Sequence, residues 1–217
     1  MLIVGGILAL FVGAILAVYF APHPDLLFGS NKPTDPNRIR AVEIEASSFL
    51  VPEVYLEDVD RPLFGSVRRL TIRIPWPYSP GAVLDEPEAA DLTRMMVVDI
   101  ARRPDVTSLR DRLQRIYPVY FNGAGTKLAN GLTVHRFKAR TPYEDSILYV
   151  SDDEDPVLFT CTIEAGPTVP PICERRLDLN LALTATYRFH SSRLAEWRTL
   201  DKTLTGLIRG YRQDGSK

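Results

Sequence analysis

The clearest alternation of apolar and polar positions runs through VRRLTIRI, Val67 to Ile74, where Leu70, Ile72 and Ile74 fall on one side and Arg69, Thr71 and Arg73 on the other. A repeat of two marks a strand with one buried face. The following PWPYSPG, Pro75 to Gly81, ends it in a loop. The same repeat continues longest near the C-terminus, through Leu181, Leu183, Ala185, Tyr187 and Phe189. A weaker version, Val42, Ile44 and Ala46 within IRAVEIEASSFL, predicts a strand from Ile39 to Leu50.

Elsewhere the repeat lengthens to three and four. Leu194, Trp197, Leu200, Leu204, Leu207, Ile208 and Tyr211 form a stripe wide enough to cover a sheet, and Ser191 or Ser192 is placed to cap that helix. Asp85 and Pro87 predict the start of another helix, running to Arg103 with Leu92, Met95, Met96 and Ile100 on one side. A shorter amphipathic piece follows at Ser108 to Ile116. From Pro118 the texture turns to strands: Val119 to Phe121, LTVHRFK from Leu132, ILYV from Ile147 and VLFTCTI from Val157. Short turns between them predict an antiparallel meander. The expected fold is α+β, an antiparallel sheet with helices packed on one face.

The first residues follow neither repeat. Leu2 to Ala21 carry no charged side chain, and about 20 helical residues span the roughly 30 Å core of a bilayer. A transmembrane anchor is expected over 1–21, then a Pro-rich tether over 22–38 and a domain over 39–217, with a second division allowed at 117/118. A cleaved signal peptide fits less well, because no Lys or Arg precedes the run and bulky Tyr19-Phe20 stands before Ala21-Pro22. Gly5, Ala9, Gly13, Ala17 and Ala21 recur at every fourth position, the ridge along which a second helix approaches closely. The partners they suggest are an integral membrane subunit or a second copy of the chain, besides the lipid bilayer itself.

Composition narrows the classes. The chain has 26 Lys and Arg against 27 Asp and Glu, giving a net charge of −1, so it has no field to attract nucleic acid. Its two cysteines, Cys161 and Cys173, enclose a turn-forming TIEAGPTVPPI and suit a structural disulfide. That expectation places the domain in the periplasm of a bacterial inner-membrane protein, although Lys32, Arg38 and Arg40 lean toward a cytoplasmic C-terminal side.

Reactive chemistry is scarce. His23, His135 and His190 are far apart, and no H-E-x-x-H, clustered Cys/His or G-x-S-x-G occurs, so no metal, cofactor or catalytic residue is expected. The acidic SDDEDP, Ser151 to Pro156, lacks the alternating ligands of a calcium loop and reads as a hairpin turn. Trp76 and Tyr78, held between prolines, and the neighbouring Arg69 and Arg73 are the candidate partner contacts. These features point to a binding or scaffolding module, an accessory or assembly subunit of an envelope complex, without catalysis. The alternatives are an immunity-type protein that neutralises a toxin, and a tethered hydrolase whose groups meet only in space. A pocket holding His135 or His190 beside a carboxylate would mark the hydrolase.

Overall fold

In the computed structural model, residues 38–57, 67–83, 91, 93–103, 107–163 and 171–213 are described. The predicted span over Leu2–Ala21, with Gly5, Ala9, Gly13, Ala17 and Ala21, lies outside them, as does the tether up to Asn37. Among the described residues no helix is long and apolar enough to cross a membrane.

The strands are β1 (Ile39–Ile44), β2 (Ser47–Pro52), β3 (Arg69–Pro75), β4 (Met95–Arg102), β5 (Thr126–Lys127), β6 (Leu132–Arg136), β7 (Ser146–Ser151), β8 (Leu158–Thr162), β9 (Ile172–Asp178), β10 (Leu183–His190) and β11 (Arg212–Gln213). Eight of them form one antiparallel sheet in the order β3-β4-β10-β9-β8-β7-β6-β5, and β1-β2-β11 form a small second sheet. The meander expected after Pro118 is therefore present, with β4 and β3 added beyond its last strand. Among the described residues two helices complete the α+β fold: α1, an irregular run of Leu109–Asp111, Arg112–Ile116 and Tyr117–Tyr120, and α2, Trp197–Tyr211.

Alternation decides the layers. Leu70, Ile72 and Ile74 of β3, Met96, Val98 and Ile100 of β4, and Leu183, Ala185, Tyr187 and Phe189 of β10 share one buried cluster with Trp197, Leu200, Leu204 and Ile208 of α2. Ile44, Phe49 and Val51 of the small sheet close the same core. Polar bonds set the seat of α2: Tyr187 donates its hydroxyl to Asp201 at 2.7 Å, and Arg175 of β9 pairs with the same carboxylate. Burial pushes the Tyr187 hydroxyl far above its usual pKa, so it stays a donor. Ahead of α2, the 3-10 turns Ser191–Glu196 are tied down by Arg193, which donates to the Thr93 carbonyl at 2.7 and 2.8 Å.

The opposite face is covered only in part. Leu148, Val150 and Leu158 alternate with Tyr149 and Phe159, and pack against Tyr117, Leu113 and Ile116 of α1 and against Phe137. Helices thus lie on both faces, not on one. The reason is visible in β7 and β8, where successive apolar residues leave no face polar enough for water.

Three local readings need correction. Met95–Arg102 is strand β4 and not the end of a helix from Asp85, because Met96, Val98 and Ile100 alternate just where Leu92, Met95, Met96 and Ile100 also recur at helical spacing, and β-branched Val97 and Val98 favour the strand. The single strand read from Ile39 to Leu50 is a hairpin, β1 and β2, turning at Glu45 with φ 52°. Val119 and Tyr120 end α1, and only Phe121 makes a strand-like bridge, to Phe137.

Candidate protein-contact surface

The residues that alternate with the core of β3, β4, β10 and β9 lie on the polar face of the sheet, which Tyr117 of α1 borders at Arg176. Register arranges them in three rows across the four strands. The first is Arg73, Val97, Arg188 and Glu174; the second Thr71, Asp99, Thr186 and Arg176; the third Arg69, Ala101, Thr184 and Asp178.

Hydrogen bonds knit the rows together. Thr71 donates its hydroxyl to Asp99 at 2.7 Å, and Arg188 pairs with the same carboxylate from the other side. Arg176 donates to the Thr184 hydroxyl at 3.2 Å, which itself donates to the Leu177 carbonyl at 2.9 Å. Arg103 closes the end of the third row on Asp178 at 3.2 Å, and Arg73 pairs with Glu57 at the sheet edge. With strands about 4.8 Å apart and residues about 3.4 Å apart, the rows cover a patch roughly 14 Å on a side. Its side chains are tied to one another over an area far wider than a single ligand needs, which suits contact with another surface better than enclosure of a small molecule.

Of the residues singled out by sequence, Arg69 and Arg73 lie on this patch and are exposed. Trp76 does not. Its side chain is 6% exposed within the main core and its indole N–H donates to Glu196 at 3.2 Å, so its ring has no surface to offer. Tyr78 packs on the same core with its ring 6.4 Å from Tyr55, whose hydroxyl accepts from Gly81 N–H at 2.8 Å and donates to the Ser79 carbonyl at 3.2 Å. The loop after β3 is therefore drawn inward. Asp99, Arg188 and Arg176 are the functional candidates that the sequence alone does not single out, since only the register brings them beside Arg69 and Arg73.

Cys161 and Cys173 are bonded to each other, directly opposite across β8 and β9 and buried in the main core. The acidic turn is held by cations: Asp152 pairs with Lys127 at 3.4 Å, Asp153 with Arg198 at 3.2 Å and Asp155 with Arg110 at 3.3 Å. Those pairs spread its charge over β5, α1 and α2.

The histidines are separate. His135 stacks on Phe121 with ring centroids 4.2 Å apart, and burial lowers its pKa. His190 Nδ1 lies 2.9 Å from Ser192 Oγ, and the same nitrogen accepts from Ser192 N–H at 3.3 Å, so the pair caps the 3-10 turns. A surface depression of about 490 Å³ is lined by Asn130, Gly131, Glu196, Trp197 and Arg198, among others, and by neither histidine. Asn130 and Glu196 are engaged in the fold, since Trp197 donates to the Asn130 carbonyl at 3.0 Å and Glu196 receives Trp76 and Arg193. Among the described residues no three His, Cys, Asp or Glu side chains converge as a metal site.

The fold resembles that of an immunity protein. The solved structure of Smlt3025, an immunity protein of the Stenotrophomonas maltophilia type IV secretion system, superposes with a TM-score of 0.58, covering 81% of this chain and 94% of that one. Sequence identity is 16%, so the likeness is one of fold. No protein-family model and no curated protein sequence matches the chain.

Proposed function

We propose that this chain is an immunity-type protein that binds and blocks a protein toxin, using the three-row face of the large sheet as a principal contact. The observation that carries the reading is the likeness in fold, over nearly the whole neighbour, to a protein of that role. The open face supports it independently, because it is rigid, rich in arginine and shaped for a surface partner. The accessory-subunit reading has no comparable support, and the immunity-type alternative takes its place.

Blocking by contact needs no reactive group in the chain, so the protein acts as an inhibitor and not as an enzyme. The disulfide supports a domain that folds in an oxidising compartment. The uncharged run Leu2 to Ala21 supports a bilayer anchor that holds it there, on the periplasmic side of a bacterial inner membrane. A toxin arriving from another cell would meet it before reaching a target.

A toxin kills its producer unless protector and toxin are inherited together, so the partner is sought among the products of genes flanking this one. Each product is expressed in a host with and without the chain. One is expected to arrest growth, and co-expression of the chain to restore it. The paired variant Arg69→Glu with Arg73→Glu is expected to bind that product about 10- to 100-fold more weakly at low salt, since charges at a contact act chiefly on encounter and specificity. Its melting temperature is expected to fall only slightly, through the exposed Arg73–Glu57 pair. If no flanking product is both toxic and bound, the immunity reading fails.

A further inference from the structure

The apolar repeat of β10, followed backwards, predicts that Leu181 shares the buried face with Leu183 and Ala185. It does not. Leu183 is fully buried, whereas Leu181 is 95% exposed at the tip of the β9–β10 hairpin. Such a leucine on a loose loop would fold back onto the nearest apolar surface, because burying its side chain returns about 2 kcal/mol.

This loop is fixed from several sides. The Asn180 carboxamide oxygen accepts from Ala182 N–H at 2.8 Å and Leu183 N–H at 2.7 Å, while Leu179 N–H and Asn180 N–H both reach the Leu183 carbonyl, at 3.0 and 3.3 Å. Arg103 N–H donates to the Ala182 carbonyl at 2.7 Å, and the Arg212 guanidinium to the Leu179 carbonyl at 2.8 Å. The Asn180 amide also reaches Ser47 on the neighbouring hairpin at 3.5 Å. The tip is thus preorganised around an apolar side chain that it holds in water.

The tip also continues the open face. The third row ends at Asp178 and Thr184, and the hairpin connection lies between them. That face measures on the order of 200 Å² by its strand and residue spacings. A stable interface takes about 800 Å² from each partner, with its energy concentrated in a few desolvated anchors. The rows supply charge and hydroxyls but no large apolar anchor, and Leu181 is the exposed one beside them.

We propose that Leu181 is the apolar anchor of the inhibitory contact and inserts into an apolar, leucine-sized cavity of the toxin. The proposal rests on the immunity reading. A lipid surface is the weaker match, because one leucine supplies too little apolar area to hold a protein on a bilayer.

The test uses the full-length protein, the toxic flanking product found as above, and vesicles of phosphatidylethanolamine and phosphatidylglycerol. The parent is compared with Leu181→Asp and with the milder Leu181→Ala, after equal melting temperatures establish that each is folded. Leu181→Asp is expected to lose toxin binding by at least about 100-fold and Leu181→Ala by about 10-fold, the range of a central anchor. Both should bind vesicles as the parent does. Toxin binding by Leu181→Asp within about threefold of the parent, well below the loss expected of an anchor, overturns the anchor and leaves the immunity reading standing. A probe at position 181 that a water-soluble quencher cannot reach on vesicles also overturns it, in favour of a lipid contact. If the parent binds no toxic product, the immunity reading falls and takes the anchor with it.

Discussion

The large sheet has two halves that treat water differently. Around β7 and β8 both faces are covered, one by α2 and the main core and the other by α1 and its aromatic cluster. Across β3, β4, β10 and β9 one face is core and the other remains polar. The sequence differs accordingly: SILYV and VLF run apolar through consecutive positions, whereas RLTIRI alternates without a break. Covering both faces serves stability, while leaving one open keeps a surface for contact.

That difference is sharpest if one residue is removed from each half. Phe159 is fully buried, edge-on to Phe189 at 5.6 Å and Trp197 at 5.8 Å, so Phe159→Ala should cost about 3–5 kcal/mol, transfer and cavity together. Arg188 on the open face is 43% exposed and pairs with Asp99, and Arg188→Ala should cost no more than about 1 kcal/mol. Urea unfolding measures both. Equal losses would break the division into a structural half and a contact half.

The seam between the halves comes next in expected size. Among the described residues β8 and β9 share only the pairs Thr160 with Glu174 and Cys161 with Cys173, and the disulfide lies in the second. Replacing both cysteines by Ala should lower stability by about 3 kcal/mol, by freeing the loop in the unfolded chain. Toxin binding by the folded variant should persist, because the bond lies in the core and not on the rows. Lost binding at full stability would move the contact to the seam.

Much of this was legible in the chain because period and burial are local. Unbroken alternation marked β3 and β10, and the three-four stripe marked α2. Ambiguity arose where two periods fit the same residues, as with Met95, Met96 and Ile100, or where a turn carried no Gly, Pro or Asn, as at Glu45. The open face was only half legible. Arg69 and Arg73 share a strand, but Asp99, Arg188 and Arg176 join them through register between strands distant in sequence. Leu181 was misplaced by its own pattern, because the bonds that Asn180 makes start the strand at Leu183, two residues later than hydrophobicity implies.

The smallest expected effect concerns pH and belongs to the covered half alone. His135 lies on the α1 side of β6, opposite Leu148, with its ring on Phe121 and its buried Nδ1 without a hydrogen-bond partner. Burial disfavours the imidazolium there, so the folded pKa lies below the ordinary 6.5. Below that pH the unfolded chain takes up a proton that the folded chain refuses. Stability should therefore fall as pH drops through 6.5, and level off once the folded pKa is passed. Phe in place of His135 keeps a ring against Phe121 and cannot titrate. Unfolding midpoints measured from about pH 8 to about pH 4.5 should show a shallower acid decline in His135→Phe than in the parent, provided the other groups titrate alike. Parallel curves would mean that water reaches the His135 ring in the fold, and that this side of the sheet is less closed than the side beneath α2.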